Sequence, residues 1–180
     1  MTDPAFERVS NEPAITSIII YPGAPMLYVL REDHEDVTAL LRGERDMVRD
    51  QGEPDVRRVL DFGAREGAFA VHCRLRWPYA WVDSVEPDQR LKRLCEANAP
   101  PGARVFDAVP TDEKYDLVRI TKNGLAHVYM GNALGIATAT KQTQILFCDG
   151  FVAPQPPEGF EIVATGMRRK HEPFSWWVRK

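Results

Sequence analysis

From residue 56 onward, short β-branched apolar runs alternate with segments of helical period, and that alternation restricts the chain to an α/β architecture around a parallel sheet. Residues 56–61 read as a strand, 66–76 as a helix and 81–86 as a strand. Residues 88–97 form a helix that carries Leu91, Leu94 and Cys95 on one face. Asn98-Ala99-Pro100-Pro101-Gly102 stops that helix, and 103–107, 115–120 and 144–148 read as further strands. Parallel neighbours need crossover connections, so helices are expected on both faces. The last stretch differs: 159–168 and 174–179 are strands with no room between them for a helix, which requires a terminal antiparallel pair.

The first 50 residues follow another pattern. Residues 15–21 are β-branched, Pro22-Gly23-Ala24-Pro25 is turn chemistry, and Met26–Leu30 reads as a second strand, together a hairpin. Residues 36–49 then place Val37, Leu40, Leu41, Met47 and Val48 near helical spacing. The soft joint is Asp50-Gln51-Gly52-Glu53-Pro54-Asp55, so the expected organisation is a small β-β-α annex, 1–55, packed on a Rossmann-like unit, 56–180. Seven residues separate Asp107 from Tyr115 and span at most ~25 Å. One crossover helix is therefore expected to be missing.

A chain of 180 residues with 44% apolar and 27% charged side chains fits one globular domain with a sizeable core. A net charge of −3 gives no overall attraction to nucleic acid or an anionic membrane. The first residues carry acids and no apolar signal region, and no run reaches membrane-spanning length, so a cytoplasmic protein without a membrane partner is expected. Cys73, Cys95 and Cys148 lack metal-ligand spacing and fall in apolar segments, which predicts buried thiols and no metal.

The chemistry concentrates at the carboxyl ends of the first strands, where open α/β sheets bind ligands. In Val59-Leu60-Asp61-Phe62-Gly63-Ala64-Arg65-Glu66-Gly67 the glycines allow a tight turn and a close ligand approach, and the helix that follows offers free N–H donors. Asp61, two residues before Gly63, repels phosphates, which argues against a dinucleotide and suits a ligand with a cationic amino group and sulfonium. Glu86, nineteen residues after Gly67 in Val85-Glu86-Pro87, is placed to accept both hydroxyls of a ribose. Asp107, beside the backbone N–H of Ala108, is placed to take an adenine amino proton.

With these residues assembled, 56–180 resembles the class I S-adenosylmethionine-dependent methyltransferases. The match covers the glycine loop, Glu86, Asp107-Ala108, the Tyr115-Asp116-Leu117-Val118 strand and the terminal pair ending Trp176-Trp177-Val178. The loop is similar to the Asp-x-Gly-Ala-x-x-Gly loop of the FkbM-type O-methyltransferases, and Val85-Glu86-Pro87 with Asn98 fits the same branch. The resemblance implies a Rossmann-like methyltransferase fold and S-adenosyl-L-methionine as cofactor, held by Asp61, Phe62, Gly63, Ala64, Gly67, Glu86, Pro87, Asp107 and Ala108. It also implies methylation of a hydroxyl on a small molecule or sugar.

Where the branch carries Ile-Asp-x-Glu-Gly, this chain reads Ile120-Thr121-Lys122-Asn123-Gly124, without either acid. Two readings stay open there: an enzyme with altered acceptor chemistry, and a cofactor-binding partner or regulatory subunit. On the enzyme reading His127 is the candidate general base, with Lys122 and Asn123 as orienting groups, although His127 also lies in an apolar segment that suits a core or interface histidine. Residues 124–140 carry no Asp, Glu, Lys or Arg and contain Gly131-Asn132-Ala133-Leu134-Gly135. The helix expected over 125–139 packs either between sheet and annex or against a second copy of the chain, as a homo-oligomer. The basic and aromatic residues of 167–180 suit either a single-stranded nucleic acid, as in a nucleic-acid methyltransferase, or an edge strand, and the acidic total charge favours the edge.

Overall fold

The computed structural model describes residues 15–19, 26–41, 55–110, 112–121, 145–149, 158–167 and 173–180. The hairpin consists of β1 (Ile15–Ile19) and β2 (Met26–Leu30), paired antiparallel. A 3-10 turn, Arg31–Asp33, leads into α1 (His34–Leu41). The alternating region supplies β3 (Arg58–Phe62), α2 (Ala68–Arg76), β4 (Trp81–Val85), α3 (Gln89–Asn98), β5 (Ala103–Phe106) and β6 (Leu117–Thr121). It ends with β7 (Ile145–Asp149), β8 (Phe160–Met167) and β9 (Pro173–Arg179).

The seven strands from β3 to β9 form one sheet in the order β5-β4-β3-β6-β7-β9-β8. The first five are mutually parallel, and β9 runs antiparallel to both β7 and β8. The order turns back on itself between β3 and β6, and the crevice at their carboxyl ends is where such sheets bind ligands. The terminal pair is antiparallel as its short connection demands. Its last member is not the edge, however: β9 inserts between β7 and β8, and Trp177 is fully buried. Residues 173–179 are thus an interior strand, with the Trp177 ring unavailable for stacking on a base.

Local chemistry sets the element ends. Arg65 (φ 52°) and Gly67 (φ 79°) are left-handed, so α2 begins at Ala68 rather than at Glu66. Asp88 caps α3, its Oδ1 accepting from the backbone N–H groups of Arg90 and Leu91. Asp116 sits just outside β6, its Oδ2 accepting from the N–H groups of Arg57 and Arg58, so β6 begins at Leu117. Among its described residues the connection from β5 to β6 holds no helix. A polar network stands there instead: Asp83 receives both Arg104 nitrogens, at 2.8 and 2.7 Å, and the Tyr115 hydroxyl at 2.9 Å, while Arg104 and Arg58 share Glu113. Burial, together with Asp83, pushes the Tyr115 hydroxyl far above its usual range, so it stays a donor.

Two cores flank the sheet. Val59, Val82 and Leu117 pack under Phe69, Ala70 and Cys73 of α2, whereas Leu60, Phe62, Val85, Val118 and Ile120 meet Tyr115, Phe160 and Trp177 on the other face. β2 is buried on both sides. Leu27 and Val29 join Val37 and Leu41 of α1 with Ala68 and Val71 of α2, and Tyr28 and Leu30 meet Leu94 of α3. The helix expected over 36–49 is α1, which starts two residues earlier; 42–49, the helix expected over 125–139 and the joint up to Pro54 lie outside the described residues.

Candidate functional site

Asp61 is the penultimate residue of β3, Glu86 and Asp107 directly follow β4 and β5, and parallel pairing brings those strand ends side by side. The glycine loop leaves β3 and folds at once against β4: the N–H groups of Gly63 and Ala64 both donate to the Val85 carbonyl, at 2.9 and 3.1 Å. Gly63 has φ 80°, a conformation open to glycine. The Thr121 hydroxyl, from the end of β6, donates to the carbonyls of Gly63 (2.9 Å) and Phe62 (3.3 Å). The loop is therefore tied to both neighbours of β3.

Glu86 is the keystone. It is buried, its N–H donates to Phe106 at the end of β5, its Oε2 accepts from the Arg65 N–H (2.8 Å) and its Oε1 from the Asp88 N–H (3.0 Å). One carboxylate thus fixes the glycine loop and the start of α3 together. A carboxylate has about four acceptor positions, and these two bonds engage both of its oxygens. Pro87 follows it, half-buried. Asp107 is exposed, and Gln89 Nε2 and Lys92 Nζ both reach its Oδ1 at 3.0 Å. These contacts hold its carboxyl below its ordinary value. Ala108 beside it is exposed as well.

Asp61 and Gly67 differ from the sequence-based expectation. Asp61 is fully buried, and Arg119, its lateral neighbour on β6, donates to its Oδ1 at 2.8 Å. The Arg119 guanidinium also lies 4.7 Å above the Phe69 ring of α2. The carboxylate that was expected to draw a cationic ligand by its charge is already charge-balanced by the protein. Gly67 is shielded too. A Cβ there would meet Cys95 Sγ at 2.9 Å and the Cys95 backbone at 3.4 Å, so the missing side chain at Gly67 lets α3 approach. The Phe62 side chain belongs to the opposite core, and only its backbone belongs to the loop. Ala64 is buried.

Arg119 was not singled out from sequence. Its signal is a cation inside Leu117-Val118-Arg119-Ile120, an otherwise apolar strand expected to be covered on both faces, where a charge needs a partner. Cys73 and Cys95 are buried free thiols as expected, and burial with the nearby Asp61 charge pushes the Cys95 thiol far above its usual range. The Cys148 side chain, His127, Lys122 and Asn123 lie outside the described residues. Among the described residues no His, Cys, Asp and Glu cluster is arranged to hold a metal ion, and no helix is long and apolar enough to cross a membrane. The described residues also line a cavity of about 730 Å³, but it lies among Arg57, Trp77 and Trp81 at the amino ends of the strands, away from the loop.

Several solved structures share this architecture. The candidate methyltransferase yhhF of Escherichia coli superimposes with a TM-score of 0.63 at 14% identity, over 92% of this chain and 99% of its own. A candidate O-methyltransferase of Klebsiella pneumoniae matches over 100% of this chain and 91% of its own, with a TM-score of 0.56 at 13% identity. The 16S rRNA methylase ArmA matches over 82% and 85%, with a TM-score of 0.51 at 13% identity. No protein-family model and no curated protein matches the sequence. At these identities the likeness is one of fold: the chain has the Rossmann-like architecture of class I methyltransferases.

Proposed function

We propose that the chain is an S-adenosylmethionine-dependent methyltransferase acting on a hydroxyl of a small molecule or sugar, most like the FkbM-type branch. The observation that carries this reading is Glu86, a buried carboxylate that locks the glycine loop to α3 beside Asp61 and Asp107. The donor set suits the cofactor. Glu86 would accept the ribose hydroxyls, Asp107 and the Ala108 N–H would meet the adenine, and Gly63 and Ala64 with the neighbouring Pro87 would wall the cleft. When bound, S-adenosylmethionine supplies an electrophilic methyl group on a sulfonium sulfur. The chain's own contribution is alignment in a site that excludes water, with His127 taking the acceptor proton and Lys122 and Asn123 orienting the acceptor.

One observation favours a second reading, a cofactor-binding partner without turnover. Thr121 stands where the branch has its first acid, and its hydroxyl is committed to the loop carbonyls. The acceptor is decided outside the shared sheet, since neighbours of this fold include one named as an O-methyltransferase and one as an rRNA methylase.

A thermal-shift series with S-adenosylmethionine, S-adenosylhomocysteine and NAD tests the cofactor. At a hundredfold over its dissociation constant the sulfur ligand adds ~2.7 kcal/mol, a rise of roughly 5–10 °C for a chain of this size. A shift with NAD instead, or none with either sulfur ligand, overturns the proposal; a shift without methyl transfer to any hydroxyl acceptor selects the second reading.

A further inference from the structure

We propose that the cavity at the amino ends of the strands is a second ligand site, one that takes a planar heteroaromatic ring carrying a phosphate, a mononucleotide, with the base on Tyr79 and Trp81 and the phosphate on Arg57. Its volume of about 730 Å³ is ordinary for a small-molecule site. It lies at the opposite end of the sheet from the glycine loop, so it stands apart from the cofactor reading above. Three aromatic residues, Trp77, Tyr79 and Trp81, line it together with three arginines, Arg57, Arg58 and Arg76.

The two open rings are presented by a tied turn. The Ala80 N–H donates to the Trp77 carbonyl (2.9 Å), Arg74 Nη1 donates to the Ala80 carbonyl (2.9 Å), and the Trp81 N–H donates to the Arg57 carbonyl (2.8 Å). The last bond sets Trp81 beside the arginine. Between these ties Tyr79 is 90% exposed and Trp81 55%, and among the described residues neither side chain has a hydrogen bond, a cation or another ring against it. A single exposed ring is ordinary. Two beside one cavity are apolar area that a stacked ring would cover.

Arg57 is the cation suited to the phosphate. Its Nε and Nη2 pair with Asp55 Oδ2 at 2.8 and 2.7 Å, but both side chains are 75% exposed. So wet a pair contributes little, and Asp55 returns to water at small cost when a phosphate takes the planar guanidinium fork. Arg58 instead holds Glu113 at 2.6 Å, and the Asp116 carboxylate faces the backbone N–H groups of Arg57 and Arg58. Arg74 and Arg76, in the last turn of α2, offset the negative end of that helix. A purely apolar ligand would strip water from the arginines without replacing it, and a bare anion would leave the rings wet. A base joined to a phosphate meets both needs. One cavity with two open rings fits a single base, and the net charge of −3 opposes a longer polyanion.

Calorimetric titration of the full-length protein with guanosine 5′-monophosphate, guanosine and inorganic phosphate tests the site. The monophosphate is expected to bind, and guanosine and phosphate each about 10-fold or more weakly, the worth of hydrogen bonds to a charged group. Replacing both rings, Tyr79→Ala with Trp81→Ala, is expected to weaken the monophosphate about 10- to 100-fold, the worth of stacking. Should that double variant fail to fold, Tyr79→Ala alone, at the most exposed of these positions, is expected to weaken it in the same direction. Arg57→Gln is expected to weaken the monophosphate about 10-fold and to leave guanosine unchanged. No binding of the monophosphate, or binding that these variants leave within about threefold, overturns the inference. Guanosine binding as tightly as its monophosphate overturns it too. So does a single-stranded oligonucleotide that binds more than about 10-fold tighter than the monophosphate, which would give the rings to a strand.

Discussion

At the scale of single residues, the glycine loop is defined by what its neighbours require. Gly67 combines a φ of 79° with direct contact to the Cys95 backbone, so neither the conformation nor the space admits a side chain. Gly67→Ala is expected to cost about 2–4 kcal/mol, from the left-handed backbone and the overpacking against α3. The midpoint of urea unfolding measures it, and an unchanged midpoint would mean that α3 yields freely. Glu86 organises the loop through Arg65 and Asp88, so on the proposed function binding and local order depend on one side chain.

Among elements, the contact that matters most joins β2 to α3. Asn98, the last residue of α3, treats Tyr28 as a strand neighbour would: its Oδ1 accepts from the Tyr28 N–H (2.8 Å) and its Nδ2 donates to the Tyr28 carbonyl (2.6 Å). The same Nδ2 also reaches the Glu66 carbonyl in the glycine loop at 2.8 Å. Hairpin, helix and loop therefore meet on one amide. Asn98→Ala leaves these buried backbone groups without partners and is expected to destabilise the protein by about 2–4 kcal/mol. Hydrogen exchange at the Tyr28 amide reports the effect directly, and undiminished protection there would exclude the role. A similar economy replaces the crossover helix between β5 and β6, where Asp83, Arg104, Glu113 and Tyr115 bridge strands and connection through charged hydrogen bonds.

For the molecule as a whole, sheet order and the packing of β2 and α1 determine where the glycine loop stands. The reversal between β3 and β6 opens the crevice in which the loop lies, and β2 closes the outer side of α2 and α3 with Leu27, Tyr28, Val29 and Leu30. Removing residues 1–41 would expose Ala68 and Val71 on α2 and Leu94 on α3. We expect the shortened chain to lose cooperative unfolding and to bind a hydrophobic dye such as ANS, because these apolar positions would lose their cover. A cooperative, dye-free product would show that the proposed annex of 1–55 is separable from 56–180.

The sequence by itself determined the periodic elements, the turn chemistry and the acids at successive strand ends, because these depend on neighbours within a few residues along the chain. It also carried the mostly parallel sheet through the alternation of strands and helices, and the antiparallel end through the short connection between 168 and 174. Only the tertiary structure decided which side chains stand across from one another. Asp61 and Arg119 are 58 positions apart, and Tyr28 and Asn98 70 apart. Such pairs form when strand order and helix docking set lateral neighbours, which no local period encodes. The placement of β9 inside the sheet and the neutralisation of Asp61 are of this kind. Charge in a folded protein acts through its buried partners, and a carboxylate read alone in the sequence says nothing of the guanidinium that meets it.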